Sequence, residues 1–76
     1  MTEVLEARKA YKDARDEAKE IVDRARARLG LSIRQARDAG QSQTSAMVAL
    51  GLSREQVRAF ERAYSDWLRD HDGTQP

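Results

Sequence analysis

Arg54, Arg58 and Arg62 recur every four residues near the end of a 76-residue chain, and Arg69 follows them. At about 100° per residue these four share one sector of a helix. A guanidinium carries a planar fork of donors that fits phosphate oxygens and the guanine edge in the major groove. Like charges at i,i+4 cost a few tenths of a kcal/mol per pair in an isolated helix. A polyanion would relieve that repulsion. The competing use of the row is a solvated face, with Glu55 and Glu61 neutralising it as ordinary surface pairs. Little other chemistry is on offer. The chain has no Cys, His71 is its only His, and it has neither a Gly-rich phosphate loop nor metal-ligand spacing. Nucleophilic, metal and cofactor catalysis are therefore unsupported, and no small-molecule substrate is evident.

An Arg row reads nucleic acid only if a rigid element presents it. Just before it stands Leu50-Gly51-Leu52-Ser53-Arg54-Glu55-Gln56-Val57-Arg58. Gly51 suits a turn residue with positive φ, which a Cβ resists. Ser53 with Gln56 three residues on forms the pattern of a capping box. Leu50, Leu52 and Val57 fall where two crossing helices would bury each other. The spacing therefore predicts a short helix over about 43–50, a turn at Gly51-Leu52-Ser53, and a last helix over about 54–69. Upstream, Gly40 is a good residue to stop a helix and Ser42 a good one to start the next. On the last helix Val57, Phe60, Tyr64, Trp67 and Leu68 share a sector roughly 135° from the Arg row. They read as core rather than as bases' stacking partners.

From Thr2 to Ala39 apolar residues recur at helical spacing: Val4, Ala7, Tyr11, Ala14, Ala18, Ile21, Val22, Ala25, Leu29, Ile33 and Ala36. Between Val4 and Ala25 the rhythm is heptad. Charged residues fill the other positions, in the manner of a solvated face. The stripe crosses Gly30 in phase, which favours one long helix, bent at most there. The alternative is a break at Leu29-Gly30-Leu31 with Ser32 capping a new helix. The only Pro is Pro76, and Ala, Arg, Glu and Lys dominate, so an all-α chain is expected. Its divisions are 1–28, an N-terminal helix suited to dimerisation; 29–70, the turn-containing unit; and 71–76, a flexible tail.

A chain this short buries a limited core and commonly needs a staple. Disulfides are excluded by the missing Cys, and with one His as well a zinc site has no support, which leaves oligomerisation as the remaining common route. A homodimer through the N-terminal helix is expected; the alternative is a monomer whose long helix folds back onto Tyr64, Trp67 and Leu68. The formal net charge is only +1, so composition alone does not announce a polyanion partner. No apolar leader or membrane span is visible, which makes a cytoplasmic location the expectation.

With Ser42-Gln43 ahead of it, the Leu50–Arg58 run resembles the helix-turn-helix of sigma-factor region 4, resolvase C-terminal domains and small bacterial regulators. Their shared pattern is a Ser-Gln start, an aliphatic-Ala pair, Leu-Gly-aliphatic-Ser, and a β-branched residue four positions later. The resemblance covers about residues 29–64. It departs at Ala46-Met47, where the family carries the aliphatic-Ala pair; flexible Met47 must fill the crossing instead. The resemblance implies double-stranded DNA as the partner, with Ser53, Arg54, Glu55, Arg58, Ala59 and Arg62 facing it. Arg54 and Arg58 would read bases, and Glu55 would either accept from a cytosine amino group or pair with Arg58. Ser42, Gln43 and Thr44 would meet phosphates at the start of the preceding helix. The expected function is a small sequence-specific regulator of transcription or an accessory factor of a mobile element. The alternative is a helical protein-interaction module acting through the long helix.

Overall fold

The end of α1, both ends of α2 and the start of α3 fall where a capping residue stands in the sequence. In a computed structural model describing residues 1–76, the all-α chain consists of α1 (Thr2–Asp38), α2 (Gln43–Leu50) and α3 (Arg54–Asp70). Gly40 ends α1 at φ 98°. Its amide donates to the Arg37 carbonyl and the Gln41 amide to that of Ala36, both at 3.0 Å, the paired bonds of a Schellman motif. The Ser42 hydroxyl starts α2 by accepting from the Ser45 amide at 3.1 Å. Gly51 closes α2 at φ 66°, ψ 28°, in the left-handed region.

The core is a two-helix affair. α3 runs antiparallel along the C-terminal half of α1: Arg37 meets Glu61, Arg34 meets Ser65, and Arg24 lies over Trp67. Between the two helices lie the buried residues Ala27, Gly30, Ile33, Val57, Tyr64 and Trp67. α2 contributes none. Leu50, expected in the helix crossing, stays 42% exposed and Val48 79% exposed. Eight residues at the end of the α1/α3 pair are too few to wedge into it, and Ala46 and Met47 are only half-buried.

Gly30 neither breaks nor ends α1, which runs through it. It is the point of closest approach. A Cβ at this position would sit 2.0 Å from the Phe60 carbonyl oxygen and 2.7 Å from its carbon. Only a residue without a side chain lets α3's backbone come this near.

The face of α1 that packs on α3 is not the stripe picked out by hydropathy. Ala27, Gly30 and Ile33 centre about 120° around the helix from Val4, Tyr11, Ala18 and Ala25. Of the expected stripe only Ile33 becomes buried. Every residue from Met1 to Val22 is exposed. The molecule is accordingly elongated, 59 × 28 × 14 Å with a radius of gyration of 16.9 Å, against about 11 Å for a compact chain of this length.

Residues 71–76, expected as a flexible tail, are tied back to the core. The Trp67 indole N–H donates to the Thr74 carbonyl at 3.1 Å, and the Tyr64 hydroxyl donates to Gln75 Oε1 at 2.9 Å. Arg28 Nε donates to the Pro76 carbonyl at 3.1 Å. Buried Trp and Tyr need partners for their polar edges, and the last residues supply the acceptors. His71 stacks on Trp67, with ring centroids 3.7 Å apart and 12° between planes.

Candidate nucleic-acid interface

The N-terminus of α3 is fixed from three sides. Gly51 turns the chain. Ser53 Oγ then accepts from the Gln56 amide at 3.2 Å, while Gln56 Oε1 accepts from the Ser53 amide at 2.9 Å. Both halves of the capping box are formed. Val57, fully buried, anchors the first turn against the core. Arg54, Glu55 and Arg58 stand on the exposed side of that anchored turn, with Arg62 a turn further on.

The ion pairs decide how free the Arg row is. Glu61, a candidate to neutralise it, turns to α1 instead. Arg37 grips both its carboxylate oxygens, at 2.8 and 2.7 Å. Only 13% of the Glu61 side chain remains exposed. The bond to Glu61, and then its charge, hold the Arg37 guanidinium above its ordinary pKa. Glu55 forms no bridge to Arg58. The bridges of α3 are Arg37–Glu61, Arg69–Asp66 and Arg69–Asp70. Arg54, Arg58 and Arg62 therefore have no carboxylate within 4.0 Å, whereas Arg69 is taken.

The arginines of α1 are used differently. Arg24, Arg26 and Arg34 lie over the rings of Trp67, Phe60 and Tyr64 at 5.4, 5.9 and 5.2 Å. Arg34 also donates to the Ser65 hydroxyl at 3.0 Å. They clamp α3 to α1 by cation–π and hydrogen-bond contacts, so their charge is partly spent on the fold.

The members of the row are not equivalent. Arg62 opens onto a groove between α1 and α3, also lined by Ala59, whose five acids, Asp16, Glu20, Asp23, Asp66 and Asp70, outnumber its other bases, Lys19 and Arg26. A phosphate approaching Arg62 meets that acidic wall. Arg54 and Arg58, at the N-terminal end, lie clear of it.

Ser42 and Gln43 line a second depression, together with Arg34, Arg37, Asp38, Gln41 and Glu61. The proximity of Arg34 and Arg37 to the start of α2 escaped the sequence reading. Its signal was the i,i+3 spacing of two arginines immediately ahead of the Gly40 stop. Ser42 is occupied as a cap and also touches the Ser45 hydroxyl at 3.0 Å. Thr44 is exposed, and Gln43 half-buried with no side-chain hydrogen bond.

Neither a family model, nor a curated protein, nor a solved structure matches this chain.

Proposed function

We propose that this chain binds double-stranded DNA through α2, the Gly51 turn and α3, with the first two turns of α3 entering the major groove as in a helix-turn-helix. The observation that carries the reading is the state of Arg54 and Arg58. Both stand on a capped, anchored helix end, exposed and without a carboxylate partner. In a chain where 36% of residues are charged, two adjacent free guanidinium groups on a rigid element are what base-edge and phosphate recognition requires. Ser42, Gln43 and Thr44 add phosphate contacts from the start of α2. Arg62 contributes less, because the acidic groove opposes it. Such a protein fits a small transcription regulator or mobile-element accessory factor in the cytoplasm.

Selection of bound sequences from a random duplex pool tests this. The expected result is an enriched site containing guanine. On that site Arg58→Ala costs about 1–3 kcal/mol and relaxes preference at one base pair. No enrichment, or enrichment untouched by Arg58→Ala, refutes the assignment.

A second reading, a helical protein-interaction module, draws on the N-terminal half of α1, whose apolar residues stay exposed.

A further inference from the structure

Residues 2–15 of α1 project about 21 Å beyond the part that α3 flanks, at 1.5 Å per residue, since the groove between the two helices begins at Asp16. The apolar stripe of α1 contains more than small residues. Val4, Tyr11 and Ile21 are 63%, 64% and 63% exposed, and Ala7, Ala14, Ala18 and Ala25 lie between and beyond them. In heptad terms Val4, Tyr11, Ala18 and Ala25 occupy position a, and Ala7, Ala14 and Ile21 position d. The stripe sits about 120° from the face that carries α3, so a partner on it would not collide with the folded end.

The flanks of the stripe say which partner fits. One flank is basic: Arg8, Lys12, Arg15 and Lys19. The other is acidic, Glu3, Glu6, Asp13, Glu17 and Glu20, up to Arg24 at its end. A helix of this kind is complementary to itself in one orientation. When two copies run parallel, each position g meets position e five residues on in the other copy: Glu3 meets Arg8 on both sides of the seam, and the other pairs, Ala10–Arg15 and Glu17–Val22, set no like charges together. Run antiparallel, like flanks meet. The register that aligns Val4 with Ile21 gains Glu3 against Arg24 but sets Arg8 against Arg15 on the opposite side. Within one chain the flanks are only lightly engaged: Lys9–Asp13, Lys19–Asp23 and Arg24–Glu20 are exposed i,i+4 pairs at 3.8, 3.1 and 3.5 Å.

We propose that residues 4–25 of α1 pair with a second copy of this chain as a parallel, in-register two-helix coil, which brings both α2–α3 units to the same end. The pairing stands independently of what α3 binds. Ala at so many seam positions allows close approach yet buries little area, so the dimer is concentration-dependent rather than obligate.

Because the chain lacks Cys, engineered thiols report orientation without background. Under mild oxidation of the full chain, Ala7→Cys alone should close a disulfide dimer, since two position-d residues face each other in the parallel coil. A mixture of Ala7→Cys with Ala18→Cys should give no excess of the mixed dimer, since Ala7 faces Ala18 only in the antiparallel register. Solution mass should rise towards that of two chains with increasing concentration. Tyr11→Glu should abolish both the mass increase and the Ala7→Cys product. It should leave the Trp67 fluorescence of the core unchanged, because residue 11 lies outside it. Glu3→Arg should weaken association severalfold, and adding Arg8→Glu should restore it. A monomer mass at every concentration, including one in which the stripe takes a different protein, overturns the proposal. So does preferential formation of the mixed Ala7–Ala18 product, which would signal an antiparallel pair.

Discussion

Replacing Gly30 by Ala separates the packing role of this residue from its helix propensity by the sign of the effect. At an exposed position inside a helix, Gly→Ala stabilises by about 1 kcal/mol. Here the new Cβ would stand 2.0 Å from the Phe60 carbonyl oxygen, 2.7 Å from its carbon and 3.0 Å from Tyr64 Cβ. The first contact is with backbone, so no side-chain rotation relieves it. To reach even 3.0 Å, which real Cβ contacts essentially never undercut, the two helices must part by about 1 Å. A gap of that size forfeits a quarter to a half of each dispersion contact across it, and the contact comprises Ala27, Ile33, Val57, Tyr64 and Trp67. Overpacking of this kind costs about 3 kcal/mol; less the propensity gain of about 1 kcal/mol, the net is a destabilisation of about 2 kcal/mol. Urea unfolding followed by the fluorescence of Trp67, the only Trp, reads the core without interference from the projecting helix. The midpoint should fall with an unchanged slope. A raised midpoint would show that α1 and α3 do not touch at Gly30.

Gly51→Val should lower stability by about 1–2 kcal/mol in the same assay. Nothing lies within 4 Å of the added Cβ, so the cost is the left-handed φ of 66° alone; an unchanged midpoint would mean that the turn is built otherwise. Gln43→Ala should leave the melting temperature nearly unchanged, since the side chain makes no hydrogen bond, yet weaken duplex binding measured by fluorescence anisotropy. Unchanged anisotropy titrations would remove α2 from the interface. Trp67→Phe deletes the indole donor to the Thr74 carbonyl and should cost about 1 kcal/mol, with faster amide exchange at Thr74. Exchange at the wild-type rate would show that this bond does not hold the C-terminal residues.

The boundaries of the helices were legible because short-range chemistry sets them. Gly40, Ser42, Gly51 and Ser53 each act on backbone groups within five residues, and the structure has α2 over Gln43–Leu50 as the spacing implies. The choice of buried face was not legible. Ala27-x-x-Gly30-x-x-Ile33 carries little hydrophobic signal, because close approach selects small residues, whereas the exposed Val4–Ala25 stripe carries more. Hydropathy therefore pointed to the wrong side of α1 for the α3 contact. Gly30 itself is ambiguous in a sequence: a bend, a stop and a crossing point all use Gly, and only the position of the Phe60 carbonyl distinguishes them. The Arg row was legible, but its freedom was not. Whether Glu61 served Arg58, Arg62 or Arg37 depended on a contact 24 residues away along the chain. The ordering of residues 74–76 likewise depends on where the polar edges of Tyr64 and Trp67 end up.

The central claim, that the free arginines of α3 meet a polyanion, is tested most directly by a salt titration on a random-sequence duplex. The logarithm of the binding constant should fall linearly with the logarithm of salt concentration, by about 0.9 per phosphate neutralised. The Arg54→Ala/Arg58→Ala double variant should flatten that slope by about 1–2, while Arg69→Ala, whose charge is already paired with Asp66 and Asp70, should leave it nearly as it was. Absence of binding at low salt, or a slope that the double variant does not change, would contradict the account.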